Sequence, residues 1–185
     1  WSYGLAGVLA ALLTLYLAPR RRSSSRSRAM FVAVALCTVW GMLGLAFVLT
    51  GQGIFLAGSL LADVLRFGGW YLFLISLMRP ESPAEGAPAT AGIGWLSAIA
   101  GLLVACGFVA QAMAVFGVDL FGSSARLALF ASLAMSVFGL VLVERLFRNV
   151  SPDFRWSIKP LCLGLGGVFL FDLYVYSDAL LFNRI

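Results

Sequence analysis

Six times along this chain a run of 16 to 25 mostly apolar residues gives way to a short polar or glycine-rich interruption. The runs fall at about 3–18, 30–50, 54–78, 93–116, 125–146 and 160–182. Each is uniformly apolar rather than striped, the pattern of helices that meet lipid or protein on every side. A bilayer core about 30 Å thick needs roughly 20 such residues in an α-helix. The pattern predicts an all-α polytopic transmembrane helix bundle of about six spans, forming a single domain over 1–185. The third run, of 25 residues, corresponds to roughly 37 Å of helix, enough to cross with tilt. G-Q-G at 51–53 predicts a tight turn between spans two and three. R-P-E-S-P-A-E-G-A-P-A-T-A at 79–91 has no apolar periodicity and reads as a flexible linker. Residues 145–159 read as a third polar loop, with Trp156 suited to an interface and Pro160 opening span six. Ser123 or Ser124 is the expected N-cap of span five.

Charge orients this threading. Ten of the thirteen Lys and Arg residues fall in the loops after spans one, three and five. The densest is R-R-R-S-S-S-R-S-R at 20–28, with five arginines and no acid. Basic residues in short loops mark the cytoplasmic side, so the N-terminus is expected outside and Ile185 outside too. Under this threading a cytoplasmic domain beyond Ile185 requires an odd number of further spans. The short first run suggests residues preceding Trp1. Arginines after it, and none before it, are the reverse of a secretory signal peptide. Composition agrees: 62% hydrophobic, 11% charged, mean hydropathy +0.99. The net charge of +5 does not argue for nucleic acid, because it sits where orientation signals sit.

Candidate chemistry is sparse. With no histidine, a His-ligated haem, a His metal site and a His general base are excluded within these residues. Cys37, Cys106 and Cys162 lie in three different runs without metal-ligand spacing, and read as packing residues. No phosphate-cradling loop, nucleophile elbow or metal cluster is present, so the segment reads as non-catalytic, with no cofactor of its own. Small residues recur every four positions: Ala6, Ala10, Thr14 and Ala18; Ala33, Cys37 and Gly41; Ser97, Gly101 and Ala105; Ala128, Ser132 and Ser136. Helices in lipid associate by close approach along such seams. Gly164, Gly166 and Gly167 predict a further close approach on span six.

Ionisable residues inside apolar spans are the functional candidates, because charge at that depth is costly without partners. Asp63 and Arg66 are three apart on span three and can pair on one helix face. Asp172 should reach similar depth on span six, so Arg66 is expected to be neutralised by Asp63, Asp172 or both. Two readings stand side by side: a static pair fixing helix register, or a switch sensitive to a signal or a proton. Asp172 with Tyr176, and Tyr174 with Asp178, are each four apart and share a face. Asp178 near the span end also reads as simply hydrated, and the tyrosines as interfacial belt residues. Asp63, Arg66, Asp172, Tyr174, Tyr176 and Asp178 are thus the candidate ligand-binding or signal-sensing residues.

The final block, R-N-V-S-P-D-F-R-W-S-I-K-P-L-C-L-G-L-G-G-V-F-L-F-D-L-Y-V-Y-S-D-A-L-L-F-N-R-I, covers residues 148–185, about a fifth of the chain. It resembles the N-terminal membrane region of PrsK-type sensor histidine kinases, which accompany exosortase/PEP-CTERM systems in Gram-negative bacteria. The opening W-S-Y-G-L-A-G is similar to that family's start. The resemblance implies a sensor or anchor region in the bacterial inner membrane, followed by a kinase part absent from these residues. That part would use ATP and magnesium, act as a homodimer, and pass a phosphoryl group from histidine to a response regulator. Exopolysaccharide and protein-sorting genes would be its targets. The family supplies no ligand residues to carry over. The residues alone leave two other readings: a fragment of a small-molecule or ion transporter, and an anchor that senses nothing. Only the lipid bilayer is implied as a partner by the residues themselves.

Overall fold

The computed structural model describes residues 11–16, 25–78, 91–118, 124–149 and 152–182. These predicted features fall wholly or partly outside them: the remainder of span one, the arginine-rich loop up to residue 24, the linker over 79–90, Ser123 with the loop at 119–123, residues 150–151 of the third polar loop, and Arg184. Among the described residues all but Gly51, Gln52, Gly117, Val118 and Phe182 are helical. We label the helices α1 (11–16), α2 (Ser25–Thr50), α3 (Gly53–Met78), α4 (Ala91–Phe116), α5 (Ser124–Asn149) and α6 (Pro152–Leu181). Helices α2 to α6 are each long and apolar enough to cross a membrane. The chain is an all-α, multi-pass membrane protein.

The helix ends follow local chemistry. Gly51 takes φ 67°, a left-handed conformation that glycine adopts without Cβ strain, and its N–H donates to the Phe47 carbonyl at 2.8 Å. The expected turn is realised, and Phe55 N–H reaches Gln52 O at 3.1 Å to start α3. Gly117, with φ 68°, ends α4 in the same way, and Val118 N–H donates back to Met113 O at 2.9 Å.

One expected loop is replaced by helix. Residues 145–159 are polar, yet α5 continues to Asn149 and α6 begins at Pro152. Proline suits the first helical position, where its missing N–H has no intrahelical role. Pro160 therefore lies two turns inside α6 rather than at its start. There it deletes one hydrogen bond, to the Trp156 carbonyl.

The chain divides into two compact units, residues 1–73 and 74–185, with the boundary inside α3. In the first, α2 and α3 form an antiparallel hairpin with close backbone approach. A Cβ on Gly69 would stand 3.0 Å from the Ala33 Cα, and one on Gly58 would touch Leu43 at 3.4 Å. Ala33, Gly41 and Gly44 are buried on α2, as the small-residue seam predicts, while Cys37 is half-buried. Thr14 of α1 and Thr38 of α2 bond through their hydroxyls at 3.0 Å.

In the second unit α5 packs against both α4 and α6. Its buried stripe is Ala128, Ser132, Met135, Ser136, Gly139, Leu142, Val143 and Leu146, extending the predicted seam along the whole helix. The Ser136 hydroxyl donates to the Ser132 carbonyl at 3.1 Å, so a buried polar group is satisfied within its own helix. At Gly139 a Cβ would come within 2.8 Å of the Phe169 ring.

Two predicted seams are not where sequence spacing puts them. On α4, Gly101 and Ala105 are exposed, and the buried face is Leu96, Ala100, Gly107, Ala110 and Gln111. On α6, Gly164 and Gly167 are exposed with nothing within 4 Å of a built Cβ. Only Gly166 faces α5, 4.0 Å from Val143. The reason is shared: glycine and alanine are scattered around these helices, so a four-residue spacing fixes a period but not which face carries it.

Candidate functional site

Helix α3 carries the largest buried share of the five long helices, and its centre holds a buried ion pair. Arg66 lies 13 residues from the start of α3 and 12 from its end. Three residues of α-helix rotate about 300°, so Asp63 sits almost directly beneath it. The Asp63 Oδ1 accepts from both edge nitrogens of the guanidinium, from Nε at 3.0 Å and Nη2 at 2.8 Å. Both residues are buried, at 7% and 5% exposure.

The guanidinium also lies over two aromatic rings. Trp40 of α2 lies 4.7 Å from its central carbon and Phe67 of α3 lies 5.0 Å away. Aromatic faces are electron-rich and attract a cation more strongly when water is excluded. Phe67 in turn lies 6.2 Å from the Tyr71 ring, also buried. The pair thus places a charge-neutral, hydrogen-bonded element at mid-helix, where a bare cation is costly. Hairpin geometry delivers Trp40: the two-residue turn at 51–52 brings the middle of α2 beside the middle of α3.

The sequence pairing of Asp63 with Arg66 is realised. The other candidates belong to the second unit. Asp172 and Tyr176 are both half-buried and one helical turn apart on α6. Tyr174 is 68% exposed, which fits a ring on the lipid-facing side, while Asp178 is half-buried near the helix end. Sequence reasoning missed Trp40. A tryptophan at mid-span, away from the interfaces where it is enriched, was the available signal. It also missed Gln111, a buried amide on α4.

Of the cysteines, Cys162 is buried, Cys37 half-buried and Cys106 exposed, and none of the three forms a disulfide. Among the described residues no three of Cys, Asp and Glu gather into a metal-binding group. At the end of the second unit where α5 stops and α6 begins, Arg145 lies 4.8 Å from the Trp95 ring of α4. Nearby, Lys159 lies 5.1 Å from the Trp156 ring, and Arg148 pairs with Glu144 at 3.3 Å. No family model, curated protein or solved structure matches this chain. The class that fold and site define is a multi-pass helical membrane protein with an aromatic-clamped ion pair in its third helix.

Proposed function

We propose that this chain is the membrane-embedded sensory or anchoring module of a two-component sensor histidine kinase of the bacterial inner membrane. The observation that carries the reading is the resemblance of residues 148–185 to the membrane region of PrsK-type kinases. Most of that block is the single helix α6, which runs unbroken from a basic end to the polar positions Asp172, Tyr176 and Asp178. The kinase part would bind ATP and magnesium, dimerise, and phosphorylate a response regulator.

In this reading an envelope signal shifts helix packing around Asp63, Arg66 and Asp172. The shift reaches the kinase through later spans. Transport through the same buried charges is the competing reading. The engagement of Arg66 by a carboxylate and two rings favours a fixed packing element over a group lining a path.

Two experiments test the proposal. Coding sequence after Ile185 should continue through an odd number of spans into a phospho-accepting histidine helix and an ATP-binding domain. Only further spans there would overturn it in favour of transport, and liposome flux would then be expected. In the intact protein, Arg66→Ala or Asp172→Asn should change autophosphorylation between inducing and non-inducing conditions. Unaltered regulation would leave anchoring without sensing.

A further inference from the structure

We propose that the end of the second unit formed by the start of α4, the last turn of α5 and the first turns of α6 binds anionic phospholipid headgroups. Trp95, Arg145, Arg148, Trp156 and Lys159 are the residues that do so. The topology brings them together. Arg145 stands over Trp95, tying the end of α5 to the start of α4. Gly166 beside Val143 sets the antiparallel register of α6 on α5. Seven residues back from Gly166, about 10 Å of helix, Lys159 comes level with the end of α5.

Three features fit these side chains to a lipid phosphate rather than to burial in protein. Trp95 and Trp156 are 45% and 79% exposed on helices that are otherwise apolar, the situation of indoles lodged at headgroup level. Arg145 and Lys159 are each held over an indole ring, which positions the charge without neutralising it. Glu144 is already engaged by the exposed Arg148. The cluster therefore keeps a positive excess at the end that the Lys/Arg distribution assigns to the cytoplasm. Basic pockets between helices at that surface suit phosphatidylglycerol or cardiolipin headgroups, and each basic residue near an anionic surface strengthens association about fivefold.

The arginine-rich stretch at 20–28 would attract the same lipids, so the test separates the two. The full chain is titrated with phosphatidylglycerol and with phosphatidylcholine, and lipid adducts are counted by native mass spectrometry alongside thermal unfolding. The expected result is preferential binding of, and stabilisation by, phosphatidylglycerol. A variant with Arg20, Arg21, Arg22, Arg26 and Arg28 all changed to Gln should retain the preference. Arg145→Gln with Lys159→Gln should weaken it by more than tenfold, and Lys159→Gln alone about fivefold if the double variant does not fold. Loss of the preference in the 20–28 variant would overturn the proposal. So would equal binding of both lipids, an undiminished preference in the Arg145 and Lys159 variants, or stabilisation by inorganic phosphate alone to the same extent.

Discussion

Asp63→Asn keeps the shape of the side chain and removes the charge that faces Arg66. In the wild type the guanidinium edge rests on Asp63 Oδ1 through contacts of 2.8 and 3.0 Å, with Arg66 5% exposed. Removing one partner of a buried pair costs about 3–5 kcal/mol, because the surviving charge has lost the carboxylate that faces it. Trp40 and Phe67 contact Arg66 in wild type and variant alike, so those contacts cancel in the difference. The expectation is a loss of about 3–5 kcal/mol, or roughly 150- to 5,000-fold in the folding equilibrium. The informative contrast is the double variant Asp63→Leu with Arg66→Met. Replacing both members with apolar residues removes the desolvation penalty along with the attraction, and should be neutral or stabilising by up to ~4 kcal/mol. Unfolding by increasing SDS in mixed micelles, followed by tryptophan emission, reads both. If Asp63→Asn costs less than the double variant, the pair is not what neutralises Arg66 and the reasoning fails.

Other outcomes follow from the packing. Arg66→Lys should lose about 1–3 kcal/mol in the same assay despite keeping its charge, since an ammonium cannot present two edge donors to one oxygen while stacking on Trp40. Gly139→Ala places a methyl 2.8 Å from the Phe169 ring and should destabilise by about 1–3 kcal/mol, with partial rescue by Phe169→Leu. Gly101→Ala and Gly167→Ala meet nothing within 4 Å and should be neutral or gain up to ~1 kcal/mol from helix propensity, a sign opposite to Gly139→Ala on the same thermal-melt scale. Gly51→Ala, at φ 67°, should lower the melting temperature by an amount corresponding to about 1 kcal/mol.

What could be read from the sequence divides along physical lines. Span number and extent come from hydropathy, because a bilayer demands length and apolarity and little else. Asp63 with Arg66 was legible because the contact is local, three residues apart on one helix. Trp40 was not, since its place beside Arg66 depends on the register of a hairpin. The seam on α5 was legible because Ala128, Ser132 and Ser136 stand among large residues that mark the face by contrast. On α4 small residues occur on every side, so Ser97, Gly101 and Ala105 looked no different from Ala100, Gly107 and Ala110. The helical ends within residues 145–159 were read as loop for another reason: hydropathy locates the part of a helix that meets lipid, here Ile158–Leu181, not the turns of helix that project beyond it. Asp172, Tyr174, Tyr176 and Asp178 were identifiable as polar positions within a span, but their neighbours were not.

The order of residues within α3 bears on how the protein is made. A chain entering the membrane from the ribosome must move Arg66 out of water before the bundle exists. Asp63 emerges three residues earlier, so the counter-charge is present as soon as that single turn of helix closes. Trp40 precedes it by a further 23 residues, already inside the bilayer on α2 and returned alongside by a turn of only two residues. The hairpin thus carries its own compensation through synthesis.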